Sequence, residues 1–220
     1  FCECSSLKEI FVPDSVHYIG TGAFYKCGKM VKARLSNSLT SIEMRTFKYC
    51  SSLNEVNLPD SLNSIEIEAF SDCYNLGNIV IPASVKVINS YAFSCCRFTE
   101  VNFQNQSHLS LIASRAFYNC CYLKKIKIPS SVTEIGDYAF DYCRSIERIT
   151  FDQPSSLNII NNYAFYYCSN MNEISIPSSV TSIGPNCFSG CSNLRKVSLP
   201  RSLVSYARNY GIQNASVYPS

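Results

Sequence analysis

Thirteen of the 220 residues are cysteines, and nine of them stand three residues after a phenylalanine. Thiols are the only reactive side chains that recur here, so metal binding, disulfide formation and nucleophilic chemistry are the possibilities to weigh first. The pairs are Phe1/Cys4, Phe24/Cys27, Phe47/Cys50, Phe70/Cys73, Phe93/Cys96, Phe117/Cys120, Phe140/Cys143, Phe165/Cys168 and Phe188/Cys191. Steps of 23, 23, 23, 23, 24, 23, 25 and 23 residues separate the phenylalanines. Thiols repeating at that interval stack as a ladder, roughly 4.8 Å per rung. A zinc site needs ligands converging on one point, and parallel side chains disfavour the disulfide dihedral. The ladder residues Cys27, Cys50, Cys73, Cys96, Cys120, Cys143, Cys168 and Cys191 are therefore expected to be buried, reduced and metal-free, each acting as a small hydrophobe. Cys2, Cys95, Cys121 and Cys187 lie off the ladder, which leaves a Cys95–Cys121 bridge or an exposed thiol open.

Other chemistry finds little footing. His17 and His108 fall four units apart, roughly 20 Å at the strand spacing, too far to share a site. The chain carries no G-x-S-x-G, no glycine-rich phosphate loop and no recurring carboxylate pair. The sequence thus predicts a protein that is not an enzyme and holds neither cofactor nor metal. A net charge of +3 with 16% charged residues is too slight a bias for nucleic acid or a membrane surface. No apolar run approaches the ~20 residues that span a bilayer.

A period of this length means a solenoid, in which each unit buries its apolar face only against its neighbours. One unit reads L-x-x-I-x-V-P-x-S-V-x-x-I-G-x-x-A-F-x-x-C, for instance Leu123, Ile126, Ile128, Val132, Ile135, Ala139, Phe140 and Cys143. The I-x-V alternation has period two and β-branched residues, so it predicts a short strand. Proline follows it at Pro13, Pro59, Pro82, Pro129, Pro177 and Pro200 and turns the chain out of the ladder. S-V-x-x-I-G predicts a second extended piece, and A-F-x-x-C a single helical turn. Extra residues occur after the strand at Gln104–Leu109 and around Gln153-Pro154, where they are expected to bulge from one face. Residues 1–200 are expected to form about nine coils of 23–25 residues, the first truncated, and residues 201–220 a C-terminal cap. Because the chain opens inside a repeat, it is expected to be a piece of a longer protein.

The stretch from Ile126 to Cys143, repeated nearly position for position from Ile174 to Cys191, resembles the BspA-type leucine-rich repeat, also called the Treponema pallidum type. The resemblance covers essentially residues 1–200 and implies a right-handed, curved solenoid with a short-stranded parallel sheet on its concave face and little regular helix. It also implies a role like that of surface or secreted proteins of bacteria and protists, often linked to adhesion.

Residues flanking the strand isoleucine point away from the core and vary from coil to coil while the core stays monotonous. A basic cluster stands out there: Lys124, Lys125, Lys127 and Arg148 on adjacent coils, with Lys32 and Arg34 further along. These are the candidate partner-binding residues. Tyrosines at 25, 49, 91, 118, 138, 142, 163, 166 and 167 flank the turns and are expected to cover the core between coils. Asn105 and Asn214 open N-x-[ST] sequons, sites for glycans if the chain passes through a eukaryotic secretory route. The sequence reading is a non-enzymatic module, at a cell surface or secreted, that binds a host-cell or extracellular-matrix protein through its concave sheet. The alternatives are a cytoplasmic scaffold, which many unpaired thiols suit, and a structural spacer in a longer array.

Two measurements test the ladder. Thiol titration of denatured, unreduced protein is expected to recover at least the nine thiols of the series, and far fewer would mean disulfides or bound metal. A Cys120→Ser change is expected to cost about 1–3 kcal/mol, by burying a hydroxyl without a partner.

Overall fold

Strands of two to four residues cannot stand alone, so each must pair with the same segment of the next coil. The computed structural model describes residues 1–219, and strands are numbered below in chain order. On one face lie β1 (Glu9–Phe11), β2 (Lys32–Arg34), β4 (Glu55–Val56), β6 (Ile79–Ile81) and β8 (Glu100–Phe103). They continue as β10 (Lys125–Ile128), β12 (Arg148–Phe151), β14 (Glu173–Ser175), β16 (Lys196–Leu199) and β17 (Ser216–Pro219). Every pairing among them is parallel and in repeat register, as in Ile10↔Ala33 and Ile126↔Ile149. Pro82, Pro129 and Pro200 stand immediately after the last residue of β6, β10 and β16. The chain is a parallel-sheet solenoid of about nine coils, with this sheet on its concave face.

A second ladder runs beside it: β3 (Ser41–Ile42), β5 (Ser64–Ile65), β7 (Val87–Ile88), β9 (Leu111–Ile112), β11 (Glu134–Ile135), β13 (Ile159–Ile160) and β15 (Ser182–Ile183). It is unbroken, and its inward residue is isoleucine on all seven coils, each buried. The glycine that follows in two consensus units has a steric reason. A Cβ on Gly136 would lie 2.6 Å from the Ser114 nitrogen, and one on Gly184 2.4 Å from that of Asn162.

The concave sheet, by contrast, is interrupted twice, between β4 and β6 and between β12 and β14. On either side of the first break asparagine side chains stand in for backbone, each bonding away from the gap. Asn57 Oδ1 accepts from Leu35 N at 2.7 Å, and Asn78 Oδ1 accepts from both Thr99 N and Glu100 N. At the second, the coil between the strands carries the extra residues around Gln153-Pro154.

The A-F-x-x-C segment is not the helical turn that its length suggests. Alternate N–H groups bond to the next coil, as in Tyr138 N to Asn162 O (3.0 Å), Phe140 N to Ala164 O (2.8 Å) and Tyr142 N to Tyr166 O (2.9 Å), while those between bond three residues back, as in Asp141 N to Tyr138 O (3.0 Å). That pattern places the residues two before and two after each phenylalanine in the left-handed region, a conformation no right-handed helix contains. Of the sixteen non-glycine residues with positive φ, only Gln106 lies outside these two columns. The only helix among the described residues is a 3-10 segment, Arg201–Tyr206.

The phenylalanines form one continuous stack from Phe1 to Phe188, with ring centroids 5.2 to 5.8 Å apart, and interplanar angles no greater than 22°. This is the offset arrangement that aromatic quadrupoles favour. The stack ends where the repeat ends. Beyond it the 3-10 segment buries Leu203, Tyr210 and Ile212 join the core, and β17 pairs with β16 through Val217↔Val197. The concave sheet thus runs one strand further than the repeat is legible. Ser220, the last residue of the segment read as a cap, lies outside the described residues.

Cysteine at the ladder position makes a specific bond. Each thiol donates to the carbonyl of the phenylalanine in the preceding coil, from Cys27 to Phe1 (3.1 Å) through to Cys191 to Phe165 (3.1 Å). Cys120 points in this way at Phe93 O, also at 3.1 Å. Seven of the eight ladder thiols are buried, whereas Cys191 is half-buried because no further rung covers it. A serine hydroxyl would therefore meet an acceptor already in place, which removes the reason to expect 1–3 kcal/mol for Cys120→Ser. The expected cost is about 1 kcal/mol or less, while Cys120→Val, which lacks a donor and adds a branch, is expected to cost about 1–3 kcal/mol. Urea denaturation decides it: equal costs would show that the thiol's hydrogen bond is not what selects cysteine.

Candidate functional site

Side chains that leave the core on the concave strands form two columns, one strand spacing between rungs. The first reads Glu9, Lys32, Glu55, Asn78, Glu100, Lys125, Arg148, Glu173 and Lys196. Charges of opposite sign mostly face each other, the arrangement that cross-strand pairing favours. Lys32 pairs with Glu55 at 2.8 Å, Lys125 with Glu100 at 3.3 Å and Arg148 with Glu173 at 3.2 Å. Lys125 and Arg148 are themselves register neighbours. Their like charges are accommodated because each turns outward to a carboxylate on its far side.

The second column reads Phe11, Arg34, Asn57, Val80, Asn102, Lys127, Thr150, Ser175 and Ser198, ending at Tyr218. Lys127 reaches Asp152 at 2.5 Å, and the Arg34 guanidinium lies over the Phe11 ring at 5.1 Å. The structure therefore brings Lys124, Lys125, Lys127 and Arg148 together at the middle of the concave face, and places Lys32 and Arg34 near its N-terminal end. Lys124 lies just before β10, exposed. Three of the four central cations are tied to carboxylates that the sequence reading passed over. The signal was available, since Glu100 and Glu173 stand at the homologous position one coil away. These pairs are well exposed, so each contributes about 0–1 kcal/mol. What they do is fix the side chains and lower the net charge that a partner meets.

Two shallow hollows follow along this face and share Arg148 and Thr150. The larger, of about 560 Å³, is floored by Ile149 and Ile174 and sits over the break between β12 and β14.

Eight of the thiols are held as poor nucleophiles by their surroundings. Burial pushes Cys50 and Cys191 up to about 12 and raises Cys27, Cys73, Cys96, Cys120, Cys168 and Cys187. Little thiolate exists at neutral pH in such surroundings. No group of three or more histidine, cysteine, aspartate or glutamate side chains is placed to hold a metal among the described residues. Cys95 and Cys121 are both half-buried, and Cys95 accepts from Asn119 Nδ2 at 3.5 Å. Of the two sequon asparagines, Asn105 is exposed on the turn after β8 and Asn214 is exposed just before β17.

The turn face carries the tyrosines. They pack on one another and on cations more than they project: Tyr138 on Tyr163 at 4.7 Å, Tyr142 on Tyr167 at 5.0 Å, and Arg115 between Tyr138 (4.4 Å) and Tyr91 (5.6 Å). Among them sits a residue that the sequence reading did not single out. Asp141 occupies the position after its phenylalanine, between the coils of Tyr118 and Tyr166. It is only 4% exposed, and its Oδ1 has no hydrogen-bond partner. Burial pushes this carboxyl up to about 6, and the charge of Arg115 offsets the shift only in part.

The BspA type leucine rich repeat region, as a family model, matches in six copies over residues 1–110 and 87–216. No curated protein sequence matches the chain. Among solved structures, the T. pallidum leucine rich repeat protein is 26% identical, with a TM-score of 0.61 over 93% of this chain and 81% of that one. A leucine rich cell surface protein from Faecalibacterium prausnitzii A2-165 is 22% identical, with a TM-score of 0.61 over 97% and 79%. The pneumococcal vaccine antigen PcpA is 20% identical, with a TM-score of 0.53 over 98% and 57%. The last two likenesses show the fold. No helix is long and apolar enough to cross a membrane among the described residues.

Asp141 gives this scaffold a pH signature. A carboxyl raised from 3.8 to about 6 in the fold carries no penalty well below pH 4, where folded and unfolded chains are both protonated. Between about pH 4 and 6 the unfolded chain ionises while the folded carboxyl stays protonated, so stability falls across that interval and levels off above it. Asp141→Asn is therefore expected to stabilise the protein by about 1–3 kcal/mol at pH 7.5 and to lose that advantage near pH 4. Chemical denaturation of both proteins at the two pH values checks it. A gain that does not depend on pH would remove the carboxylate as its cause.

Proposed function

The chain belongs to the BspA-type leucine-rich repeat family, and from that premise we propose that it is a non-enzymatic binding protein, displayed at a cell surface or secreted, whose concave sheet engages a host-cell or matrix protein. The observation that carries this reading is the contrast between the two sides of each strand. Inward residues repeat with little change, from Ile126 to Ile149 to Ile174, while the outward columns differ at almost every coil. A solenoid that only spaced other domains would have no use for a long, varied, pre-ordered surface. Such surfaces are what repeat proteins use for recognition. The ion pairs that fix Lys125, Lys127 and Arg148 reduce the side-chain entropy a partner must remove on docking. Lys124, Lys125, Lys127 and Arg148 form the centre of the proposed interface, with Lys32 and Arg34 at its N-terminal end.

The resemblance in fold to a cell surface protein of F. prausnitzii supports the location. One observation favours the cytoplasmic scaffold instead: thiols whose hydrogen bonds require the reduced form suit a reducing compartment. Burial of the ladder answers it, because thiols kept from solvent and held as S–H are slow to oxidise in any compartment.

The test is a triple charge reversal, Lys125→Glu, Lys127→Glu and Arg148→Glu, read as adhesion to host cells and to extracellular matrix. All three side chains are exposed, so the variant is expected to fold with a near-native melting temperature and to adhere about tenfold less. Wild-type adhesion from a folded variant would reduce the basic cluster to a solvated surface and remove it from the proposed interface.

A further inference from the structure

The largest hollow on the concave face lies where the side chains of the second column turn short. Thr150, Ser175 and Ser198 follow one another on successive strands, and Tyr218 closes the row with half of its surface exposed. The row is flanked by Arg148, tied to Glu173 at 3.2 Å, and by Lys196, which has no carboxylate partner among the described residues. Lys196 lies instead over the Tyr218 ring, with Nζ 6.0 Å from its centroid.

From this arrangement we infer that the trough is a saccharide site for a linear, acidic oligosaccharide running along the solenoid axis. Four features fit together. Ser175 and Ser198, on the paired strands β14 and β16, offer donors and acceptors at about 4.8 Å, close to the advance of one sugar along an extended β-linked chain, and Thr150 extends the row across the break. Gln153 at the rim adds an amide able to donate and accept at once. The exposed Tyr218 ring supplies the flat apolar face on which a pyranose stacks its C–H groups. The cation Lys196 stands on the rim beside the exposed ring, placed to meet one carboxylate of an acidic chain lying along the row. Because the carboxylate of Glu173 is already occupied by Arg148, Lys196 is the charge left to meet a uronate. An acidic peptide would match the charge but has no use for the hydroxyl row or for the ring.

The inference rests on the concave sheet being the binding face, and adds a ligand class to the protein partner proposed above. The probe is a hyaluronan hexasaccharide, unsulfated and with one carboxylate per disaccharide, titrated calorimetrically into the whole chain. Lys196→Ala and Tyr218→Ala are each expected to weaken binding about tenfold, and Ser175→Trp, which fills the trough, to abolish it. Lys86→Ala, exposed just before β7 on the second ladder, should bind as wild type. A neutral N-acetylglucosamine hexamer and a hexaglutamate peptide should each bind at least tenfold more weakly.

Absence of binding, equal binding by the Lys196 and Tyr218 variants, or equal binding of hexaglutamate overturns the assignment. If the hexasaccharide fails to bind while the triple charge reversal still loses adhesion, only the saccharide site falls. If it binds and the charge reversal adheres normally, the protein interface is what falls.

Discussion

At the turn of each coil, every second backbone N–H is satisfied by the next coil, and those between bond within their own coil. Phe140 N reaches Ala164 O, Tyr142 N reaches Tyr166 O, and the thiol of Cys143 closes the circuit backward onto Phe117 O. A buried N–H without a partner is costly, so this column tolerates no change of length. The sequence obeys that limit. Extra residues appear after the strands, at Gln104–Leu109 and at Gln153-Pro154, and never between a consensus alanine and its cysteine. The same bonds explain the backbone. Left-handed geometry at fifteen non-glycine residues is unfavourable one residue at a time, yet each buys inter-coil hydrogen bonds that a right-handed turn cannot make.

How much of this could be read from the chain follows from what repetition reveals. Isoleucines recurring at a fixed interval have one reading, a ladder, and the buried column from Ile42 to Ile183 is that ladder. Proline after the strand marks its end without ambiguity. The sign of φ leaves a weaker trace. Tyrosine, arginine and glutamate fill most left-handed positions, so A-F-x-x-C looked like a helical turn. The trace was nonetheless present: Gly22, Asn119, Asn186 and Gly190, residue types that favour such geometry, fall in those same two columns. The last strand was hidden for another reason. Val217 pairs with Val197, but no phenylalanine turn follows to announce its coil.

The binding surface was legible as positions but not as charge. Lys125, Lys127 and Arg148 were visible as a cluster because they lie close in the repeat. Their partners Glu100, Asp152 and Glu173 are each about one coil away in sequence, or just past the strand, and only strand register places them alongside. The consequence reaches function. A free basic patch recruits any polyanion, with affinity that collapses in salt. A surface whose charges are paired internally attracts little at long range and must recognise by fit. Selectivity then falls to places where the columns leave room, and to the cations there that no internal carboxylate engages.

Room on this face comes from short side chains, and short side chains cost the fold nothing here. The inward residues Ile149, Ile174 and Val197 hold the strands whether Thr150, Ser175 and Ser198 or larger residues stand on the outside. In a compact globular domain a hollow of several hundred cubic ångströms usually requires the core to bend around it. In a solenoid one strand face holds the coil and the other faces solvent, so the two vary separately. The break between β12 and β14 shows the limit of that independence. There the longer coil around Gln153-Pro154 loosens the concave ladder, while the second ladder passes unbroken from Ile135 to Ile160 to Ile183 and keeps the coils stacked. A second sheet that never breaks is what lets the first one open.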